Sequence, residues 1–245
     1  MKPFFSIIIA TYNSERYLES SLQSIVNQSL KDYEIIVVDG GSKDGTLAIV
    51  EQYKNKIAIV ISEKDDGIYD AWNKGVKMAT GDWISFLGSD DVFYPDCLIN
   101  YYQYIQANHG LEYVSSKVNL LNMDGSVLRT IGKPWDWKSF RRYMCVAHVG
   151  SMHKSTLYER YGFYDSFYKT AGDYEFLLRS RESLKTGFFD KITAGMQVGG
   201  VSTNFSAYKE TYRAKITTGN VSKAIALYDW LIAFGIFYGR KIFKL

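Results

Sequence analysis

Acidic side chains recur at the ends of successive apolar segments in the first half of the chain. Asp39 follows one such segment, Asp65 and Asp66 follow the next, and Asp90 and Asp91 follow a third. Surface loops are often acidic, so any one of these groups alone has a purely structural explanation. Several carboxylates that meet in one crevice suit a hard divalent cation and, through it, a diphosphate. The residue types therefore indicate metal-bridged phosphate chemistry.

The sequence lacks the glycine motifs that bind phosphate through backbone N–H groups. It contains no G-x-x-x-x-G-K-[ST] segment, and Asp-Gly-Gly-Ser-Lys-Asp-Gly at residues 39–45 does not fit G-x-G-x-x-G. A nicotinamide-dependent oxidoreductase, which would need the second motif, is disfavoured for the same reason. Metal bridging is therefore the expected mode of phosphate binding.

The elements that must position these carboxylates alternate between strand and helix patterns. Apolar runs rich in Ile and Val indicate buried strands at residues 4–10, 33–38, 57–61 and 83–87, with amphipathic helical patterns between them. Strands that alternate with helices over short loops predict a parallel, doubly wound α/β sheet. Ligands of such sheets bind beyond the carboxyl ends of the strands, which is where the acidic residues occur.

The pattern changes after residue 111. Residues 113–121 and 127–131 flank Asp124-Gly125, a dipeptide typical of hairpin turns. A helix is expected from about Asp173, a strand over 193–198, and helices from about Tyr208 onward. We therefore predict one domain over 1–205, with a small antiparallel addition to its sheet, followed by a C-terminal helical segment over 206–245.

Composition and charge exclude several classes of protein. With 47% hydrophobic and 22% charged residues, the chain is typical of a globular protein, and its two cysteines cannot form a disulfide framework or a multi-cysteine zinc site. The segment from Lys209 onward carries the positive charge, so the body lacks the basic face of a nucleic-acid binder. Because no apolar run reaches 18 residues and the apolar start lacks a cleavage pattern, a cytoplasmic location is expected.

The C-terminal segment has the composition of an interfacial helix. Residues 224–239 are apolar nearly all round and are interrupted by Asp229, and Arg240, Lys241 and Lys244 follow. An apolar, aromatic helix that ends in basic charge favours a membrane-surface anchor. Packing on the body of the protein or on a second subunit is the alternative.

Six ordered blocks resemble the motifs of family 2 glycosyltransferases, and most of all those of bacterial enzymes that assemble capsule, O-antigen or colanic-acid repeat units. The blocks are residues 6–13, 36–46, 62–75, 86–91, 171–179 and 199–203. The resemblance implies a Rossmann-like GT-A fold, a nucleotide-sugar donor and an inverting transfer. It also implies a nucleotide-binding half at about 1–110 and an acceptor half at about 111–205.

The resemblance assigns roles to residues on the donor side. Thr11 and Asp39 match the positions beside the nucleoside, and a carboxylate acceptor suits uracil, thymine or guanine but suits cytosine poorly. Among these donors we favour a UDP-sugar. Asp90 and Asp91 match the acidic pair of the family's DXD motif, with Asp90 towards the ribose and Asp91 as the ligand of Mg²⁺ or Mn²⁺.

Further roles that the resemblance implies concern the loops and the reaction itself. Asp66 and Asn73 match loop positions near the donor, and Asp173 matches the catalytic base at a helix start, where an anion is favoured. His148 matches a histidine on the acceptor side, although a lone histidine is more often structural. GT-A enzymes often supply a late histidine as a further metal ligand. No histidine follows His153, so metal binding is expected to be weak or to depend on the diphosphate.

The sequence therefore predicts an inverting, metal-dependent hexosyl- or N-acetylhexosaminyltransferase of bacterial surface polysaccharide synthesis, held at the cytoplasmic face of the inner membrane. Its acceptor would be a hydroxyl of a glycan or of a polyprenyl-diphosphate-linked molecule.

Gly199, Gly200 and Ser202 are candidates for a loop that closes over the donor, or for a plain turn. A sugar-1-phosphate nucleotidylyltransferase and a catalytically inactive family member stay open as alternatives, although residues 11–14 are not the basic, glycine-rich loop that the former needs. Sugar, nucleotide, acceptor and oligomeric state also stay open.

Overall fold

Four parallel strands and the helices between them form the first half of the fold. The computed structural model describes residues 2–199 and 205–243, and it describes the side chains of 2–199 and 206–235. The strands are β1 (Phe5–Thr11), β2 (Tyr33–Asp39), β3 (Ile59–Ser62) and β4 (Trp83–Gly88). Their helices are α1 (Leu18–Val26), α2 (Thr46–Gln52) and α3 (Ile68–Met78). The spatial order β3-β2-β1-β4, with every pair parallel, confirms the doubly wound sheet.

A mixed group of strands extends the sheet beyond β4. The strands are β5 (Val92–Phe93), β6 (Tyr113–Leu121), β7 (Val127–Ile131), β8 (Ser151–Lys154) and β9 (Thr186–Gln197). Among the described residues the order continues β4-β8-β6-β9-β5, and β7 pairs antiparallel with β6 as the Asp-Gly hairpin predicts. β8 runs antiparallel to both β4 and β6, whereas β9 is parallel to β6. The antiparallel addition is therefore larger than the single hairpin expected.

Six further helices surround the second half of the sheet or follow it. They are α4 (Cys97–Ala107), α5 (Trp137–Phe140), α6 (Thr156–Tyr161), α7 (Gly172–Ser180), α8 (Phe205–Thr217) and α9 (Lys223–Phe243). A short 3₁₀ turn, Arg181–Ser183, follows α7. The helix expected from about Asp173 is thus present and begins one residue earlier.

The sheet is covered on both faces, which is why consecutive apolar residues of its central strands are buried on alternate sides. Ile7, Ile9 and Val37 are fully buried in one hydrophobic cluster together with residues of α1 and α4. Ile8 and Val38, their neighbours in sequence, are fully buried in a second cluster together with residues of α3 and α7. Because side chains alternate across a strand, this pattern requires a layer of helices on each face.

The C-terminal helices are joined to the body by a buried carboxylate. Asp229 of α9 is fully buried and accepts hydrogen bonds from Arg142 Nε at 3.2 Å, the Tyr143 hydroxyl at 3.0 Å and Lys215 Nζ of α8 at 3.1 Å. The sequence suggests that Asp229 interrupts an apolar surface. In the structure it instead faces inward and fixes α9 to the protein. The domain boundary near residue 205 stays a prediction.

The opposite face of α9 is exposed and apolar. Leu227, Tyr228 and Leu231 are 48%, 60% and 55% exposed, and Ile232 lies beside them. Within the described part of the chain, every helix is too short or too polar to cross a membrane. The basic side chains at residues 240, 241 and 244, on which the anchor prediction also depends, lie outside the described residues.

Candidate active site

A cavity of about 840 Å³ opens beyond the carboxyl end of β4 and contains four of the predicted site residues. Asp90 and Asp91 line it from the turn after β4, Asp173 from the start of α7, and His148 from the segment before β8. Its walls come from α3, the β6–β7 hairpin and the end of β9. The fold therefore brings together residues that lie far apart in the sequence, at the sheet edge where ligands of α/β proteins bind.

The two carboxylates after β4 are close together and poorly hydrated. Asp91 is 6% exposed, and its Oδ1 accepts a hydrogen bond from the backbone N–H of Gln197 at 2.9 Å. Burial, together with the charge of Asp90, raises the pKa of Asp91 to about 7, and burial also raises the pKa of Asp90. A side chain at Gly88 would bring Cβ within 2.5 Å of Asp91 Oδ2, so glycine is needed there.

This pair of side chains fits a divalent cation. Both charges are penalised by desolvation and by each other, and a hard cation with oxygen ligands relieves both penalties. Among the described residues, no group of three His, Cys, Asp or Glu side chains is arranged to hold a metal ion. A site for Mg²⁺ or Mn²⁺ at Asp90 and Asp91 would therefore rest on two protein carboxylates.

Asp173 is held in place by its neighbours on one side only. Its Oδ1 accepts hydrogen bonds from the Tyr69 hydroxyl at 3.0 Å and from the backbone N–H of Tyr174 at 2.9 Å. Gly172 permits the first contact, because a Cβ there would lie 2.8 Å from the Tyr69 ring. No described residue donates a hydrogen bond to Oδ2. One carboxylate oxygen is therefore oriented by the protein, and the other can accept a proton from a ligand.

His148 lies against an aromatic wall of the cavity. Its ring stacks on Trp72 with a centroid distance of 4.7 Å and an interplanar angle of 7°. Burial lowers its pKa, so the imidazole is neutral near pH 7, and its buried Nε2 has no hydrogen-bond partner among the described residues. A neutral ring with one unused nitrogen can bind a ligand hydroxyl but carries no charge for a phosphate.

Thr11 and Asp39 occupy adjacent positions at the ends of β1 and β2 but do not line the cavity. The register pairs them directly, and Asp39 is fully buried. Its carboxylate accepts hydrogen bonds from Gly41 N at 3.1 Å and Ser62 Oγ at 2.7 Å, and also from the N–H and hydroxyl of Ser42. Thr11 Oγ1 is buried without a partner in the described structure. To bind a base, Asp39 must exchange one of these hydroxyl donors for an N–H of the ligand.

Asp66 and Asn73 lie outside the cavity lining. Asp66 is exposed, and its carbonyl oxygen accepts a hydrogen bond from Lys169 Nζ. Asn73 donates through Nδ2 to the carbonyl of Tyr164 at 2.8 Å and accepts at Oδ1 from the N–H of Tyr164 at 2.9 Å. Both ends of its amide are therefore used to join α3 to the segment before α7. The donor contact expected of Asn73 stays a prediction.

Several cavity residues are not assigned a site role by the sequence. Tyr69 and Trp72 lie within the block 62–75 but occur at helical spacing and look like core residues, and Arg129 lies in the predicted hairpin. Lys169 and Thr170 occur in a segment without a recognised pattern. Only their position relative to Asp173 and Asp91 identifies them as candidates for ligand contact. Gly199 lines the cavity, but Gly200 and Ser202 of the predicted closing loop lie outside the described residues.

Comparison with known sequences gives one family. The sequence model described as "Glycosyl transferase family 2" matches residues 6–145. The chain is 32% identical to the PGL/p-HBAD biosynthesis glycosyltransferase of Mycobacterium tuberculosis over 213 residues, which cover 82% of this chain and 79% of that protein. It is 38% identical over 100 residues to the putative teichuronic acid biosynthesis glycosyltransferase TuaG of Bacillus subtilis, and these residues cover 40% of each protein.

Comparison with solved structures shows the same architecture. Residues 1–349 of Staphylococcus aureus TarS, solved in complex with UDP-GlcNAc, match with a TM-score of 0.72 and 21% identity over 91% of this chain and 69% of that chain. The chain spans 41% of the longer TarS chain. The mannosyltransferase PcManGT from Pyrobaculum calidifontis, in complex with GDP-Man and Mn²⁺, matches with a TM-score of 0.64 and 18% identity, over 89% of this chain and 63% of that chain.

Proposed function

The chain belongs to glycosyl transferase family 2 and is a glycosyltransferase with the GT-A fold, and from this premise we propose its reaction. It moves a sugar from a nucleoside-diphosphate sugar to a hydroxyl group, with a divalent cation and with inversion at the anomeric carbon. The observation that carries the proposal is that Asp90, Asp91 and Asp173 line one cavity. Family membership excludes the nucleotidylyltransferase alternative.

The acidic pair serves the leaving group. Asp91 would hold Mg²⁺ or Mn²⁺, and Asp90 would face the ribose. When bound, the cation would neutralise the negative charge that develops on the nucleoside diphosphate as the glycosidic bond breaks. PcManGT, which shares the fold and whose structure contains GDP-Man and Mn²⁺, supports the use of a divalent metal. The backbone N–H of Gln197 keeps Asp91 oriented towards the cavity by its bond to Oδ1.

Asp173 serves the acceptor. An inverting transfer needs one base that removes the proton of the acceptor hydroxyl on the side opposite the leaving group. Tyr69 and the N–H of Tyr174 hold Oδ1 of Asp173, so Oδ2 is the oxygen that takes this proton. His148, stacked on Trp72, would contact an acceptor hydroxyl through its unused Nε2.

The donor nucleoside would bind at the ends of β1 and β2. Thr11 offers a buried, unpartnered hydroxyl, and Asp39 offers a carboxylate for a base N–H. TarS, solved with UDP-GlcNAc and with UDP, supports a uridine donor and a hexose or N-acetylhexosamine as the sugar. Asp66 would contribute to donor binding from the loop beside this site, which Lys169 contacts. Asn73 would contribute by holding the backbone of Tyr164.

The far side of the cavity suits an amphiphilic acceptor. Leu120, Leu128 and Ile131 form an apolar wall, and Arg129 of β7 has no ion-pair partner among the described residues. An apolar surface beside a free cation fits a polyprenyl-diphosphate-linked glycan. The curated relatives named for teichuronic acid and PGL/p-HBAD biosynthesis support a role in cell-surface glycan synthesis.

A panel of donors tests this proposal. The chain is incubated with Mn²⁺ and UDP-, GDP-, dTDP- and CDP-sugars, and release of the nucleoside diphosphate is measured with and without an oligosaccharide or polyprenyl-diphosphate acceptor. We expect release from one uridine, thymidine or guanosine donor, accelerated by its acceptor, and little from cytidine donors because Asp39 matches cytosine poorly. Binding without release from every donor would instead identify a catalytically inactive family member.

We also propose that α9 lies on the cytoplasmic surface of the inner membrane. Asp229 fixes one face of the helix to the protein, which leaves Leu227, Tyr228, Leu231 and Ile232 exposed on the other. An amphipathic helix of this kind binds the boundary between lipid headgroups and acyl chains. Such binding would keep a lipid-linked acceptor near the cavity.

Replacing Leu231 with glutamine is expected to weaken vesicle binding by about tenfold, because burying one leucine contributes about 1.5–3 kcal/mol. Cosedimentation with vesicles of phosphatidylglycerol and phosphatidylethanolamine measures it. Val60→Gln is the matched control, since Val60, at 45% exposure against 55% for Leu231, is similarly exposed but lies on β3. Unchanged partitioning of Leu231→Gln, or a shift from dimer to monomer in light scattering without lipid, would count against the membrane.

A further inference from the structure

One carboxylate of α8 holds the backbone that leads into α7. Glu210 Oε2 accepts hydrogen bonds from the backbone N–H groups of Lys169 at 3.1 Å, Thr170 at 2.7 Å and Ala171 at 3.0 Å. It also accepts one from the Thr170 hydroxyl at 2.8 Å. Three consecutive N–H groups thus converge on a single side chain, and hydrogen bonds to an ionised acceptor are about twice as strong as neutral ones.

The segment that Glu210 holds is part of the cavity wall. Lys169 and Thr170 line the cavity, and Asp173 follows two residues after Ala171. Through its Nζ, Lys169 also donates to the carbonyl oxygens of Asp66 and, at 2.9 Å, of Ser166. The backbone at 169–171 is therefore connected both to the base and to the loop before α3.

A second contact from α8 supports the same segment. Three residues after Glu210, the guanidinium of Arg213 lies 3.8 Å from the ring centroid of Phe167 and 5.9 Å from that of Tyr168. Beyond the end of α8, the hydroxyl of Thr218 donates to Glu175 of α7 at 2.8 Å. Residues of α8 and the residue after it thus contact the chain both before and after Asp173.

We propose that Glu210 is a positioning residue for the transfer reaction. By fixing the backbone at 169–171, it sets the position of Asp173, and of the Thr170 hydroxyl, relative to Asp90 and Asp91 across the cavity. This inference rests on the proposed function, because it takes Asp173 as the base. It assigns a role in the reaction to α8, which lies outside the part of the chain that the family model matches.

Glutamine is the informative substitution at this position. It has nearly the same size as glutamate, but it removes the negative charge that strengthens the four hydrogen bonds at Oε2. Its NH₂ group, in the place of Oε1, also cannot accept the hydrogen bond that the N–H of Lys169 donates to Oε1 at 3.0 Å. The variant therefore keeps the packing of α8 and loses part of the clamp. Glu159→Gln is the control, because Glu159 is exposed on α6 and has no hydrogen bond or ion pair in the described part of the chain.

The experiment measures kcat, donor dissociation constant and pH–rate profile for Glu210→Gln, Glu159→Gln and the unchanged chain. A displacement of about 1 Å in a reacting group can cost on the order of 100-fold, so kcat of Glu210→Gln should fall by about 10–100-fold. The dissociation constant of the nucleoside diphosphate with Mn²⁺ should stay the same, and Glu159→Gln should match the unchanged chain. If Glu210→Gln does not fold, Glu210→Asp is measured instead. It keeps the charge but withdraws it by one methylene, and its kcat should fall relative to the unchanged chain while the dissociation constant stays the same.

Other outcomes overturn the proposal. An unchanged kcat per folded molecule, with only a lower unfolding temperature, would make Glu210 a purely structural residue. Equal losses in Glu210→Gln and Glu159→Gln would do the same. The proposed function fails separately, if Asp173→Asn turns over normally. Inactive Asp173→Asn together with normal Glu210→Gln would therefore refute the clamp alone.

Discussion

Replacing Asp173 with asparagine is expected to lower the rate of sugar transfer by about 100- to 10,000-fold, the range that general base catalysis contributes. The asparagine side chain can still accept the hydrogen bonds that Tyr69 and the N–H of Tyr174 make to Oδ1, so the geometry of the site persists. What it loses is the capacity to take a proton from the acceptor. Steady-state transfer at saturating donor and acceptor measures the effect.

The Asp173 prediction has a matched control in the second half of the sheet. Asp190 is 68% exposed, pairs only with Lys117 in the described structure and lies away from the cavity, so Asp190→Asn should transfer at the unchanged rate. Turnover of Asp173→Asn within a few-fold of Asp190→Asn would remove Asp173 from the mechanism. A loss confined to KM would assign it to acceptor binding instead.

Replacing Asp91 with asparagine is expected to stabilise the metal-free protein at high pH. Burial and the charge of Asp90 raise the pKa of Asp91 to about 7, far above the ordinary value for aspartate. Between about pH 4 and 7 the folded protein therefore holds a proton that the unfolded chain has released, and the free energy of unfolding falls as the pH rises. Each unit of pKa difference corresponds to about 1.4 kcal/mol, so the cost at pH 8 is up to about 4 kcal/mol.

Chemical unfolding without metal at pH 4 and pH 8 measures this effect. The Asn variant should be more stable than the unchanged chain by up to about 4 kcal/mol at pH 8. The difference should fall below about 1 kcal/mol at pH 4, close to the ordinary pKa of aspartate, where much of the unfolded chain also holds the proton. Asp124→Asn is the control, since Asp124 is an exposed turn residue whose hydrogen bonds to Ser126 lower its pKa. If the free energy of unfolding depends on pH identically in the Asp91 variant and in the unchanged chain, ionisation of Asp91 does not destabilise the fold.

Local patterns in the sequence predict the parallel half of the fold well. The runs at β1, β2 and β4 are buried on both faces, so each is mostly apolar without a polar alternation, and the structure places them within one or two residues of the expected ranges. The β6–β7 hairpin follows from its Asp-Gly turn in the same way. These elements depend mainly on neighbours in sequence, which is why the sequence reveals them.

Elements that depend on distant partners are missed. β8 has four residues and is a strand because it pairs with β4 and β6. β9 begins at Thr186, seven residues before the expected start. Its register with β6 shifts between Phe189 and Ile192, and this irregularity disrupts the alternation of apolar and polar residues by which a strand is recognised in a sequence.

The candidate site divides in the same manner. Asp90, Asp91 and Asp173, which lie in the recognised blocks, line the cavity together with His148. The contacts of Tyr69 with Asp173 and of Glu210 with Thr170 join helices that are distant in sequence, and no motif indicates them. A carboxylate that accepts three backbone N–H groups looks like any surface glutamate until the chain is folded.

Calorimetric titration of nucleoside diphosphates tests the central claim, which is that the acidic pair binds the donor while Asp173 acts on the acceptor. UDP, GDP and dTDP are titrated into the unchanged chain, Asp91→Asn and Asp173→Asn, each with and without Mn²⁺. We predict binding of one nucleotide that depends on Mn²⁺, is lost in Asp91→Asn and is kept in Asp173→Asn. Binding that is independent of Mn²⁺ and equal in all three proteins would contradict the account.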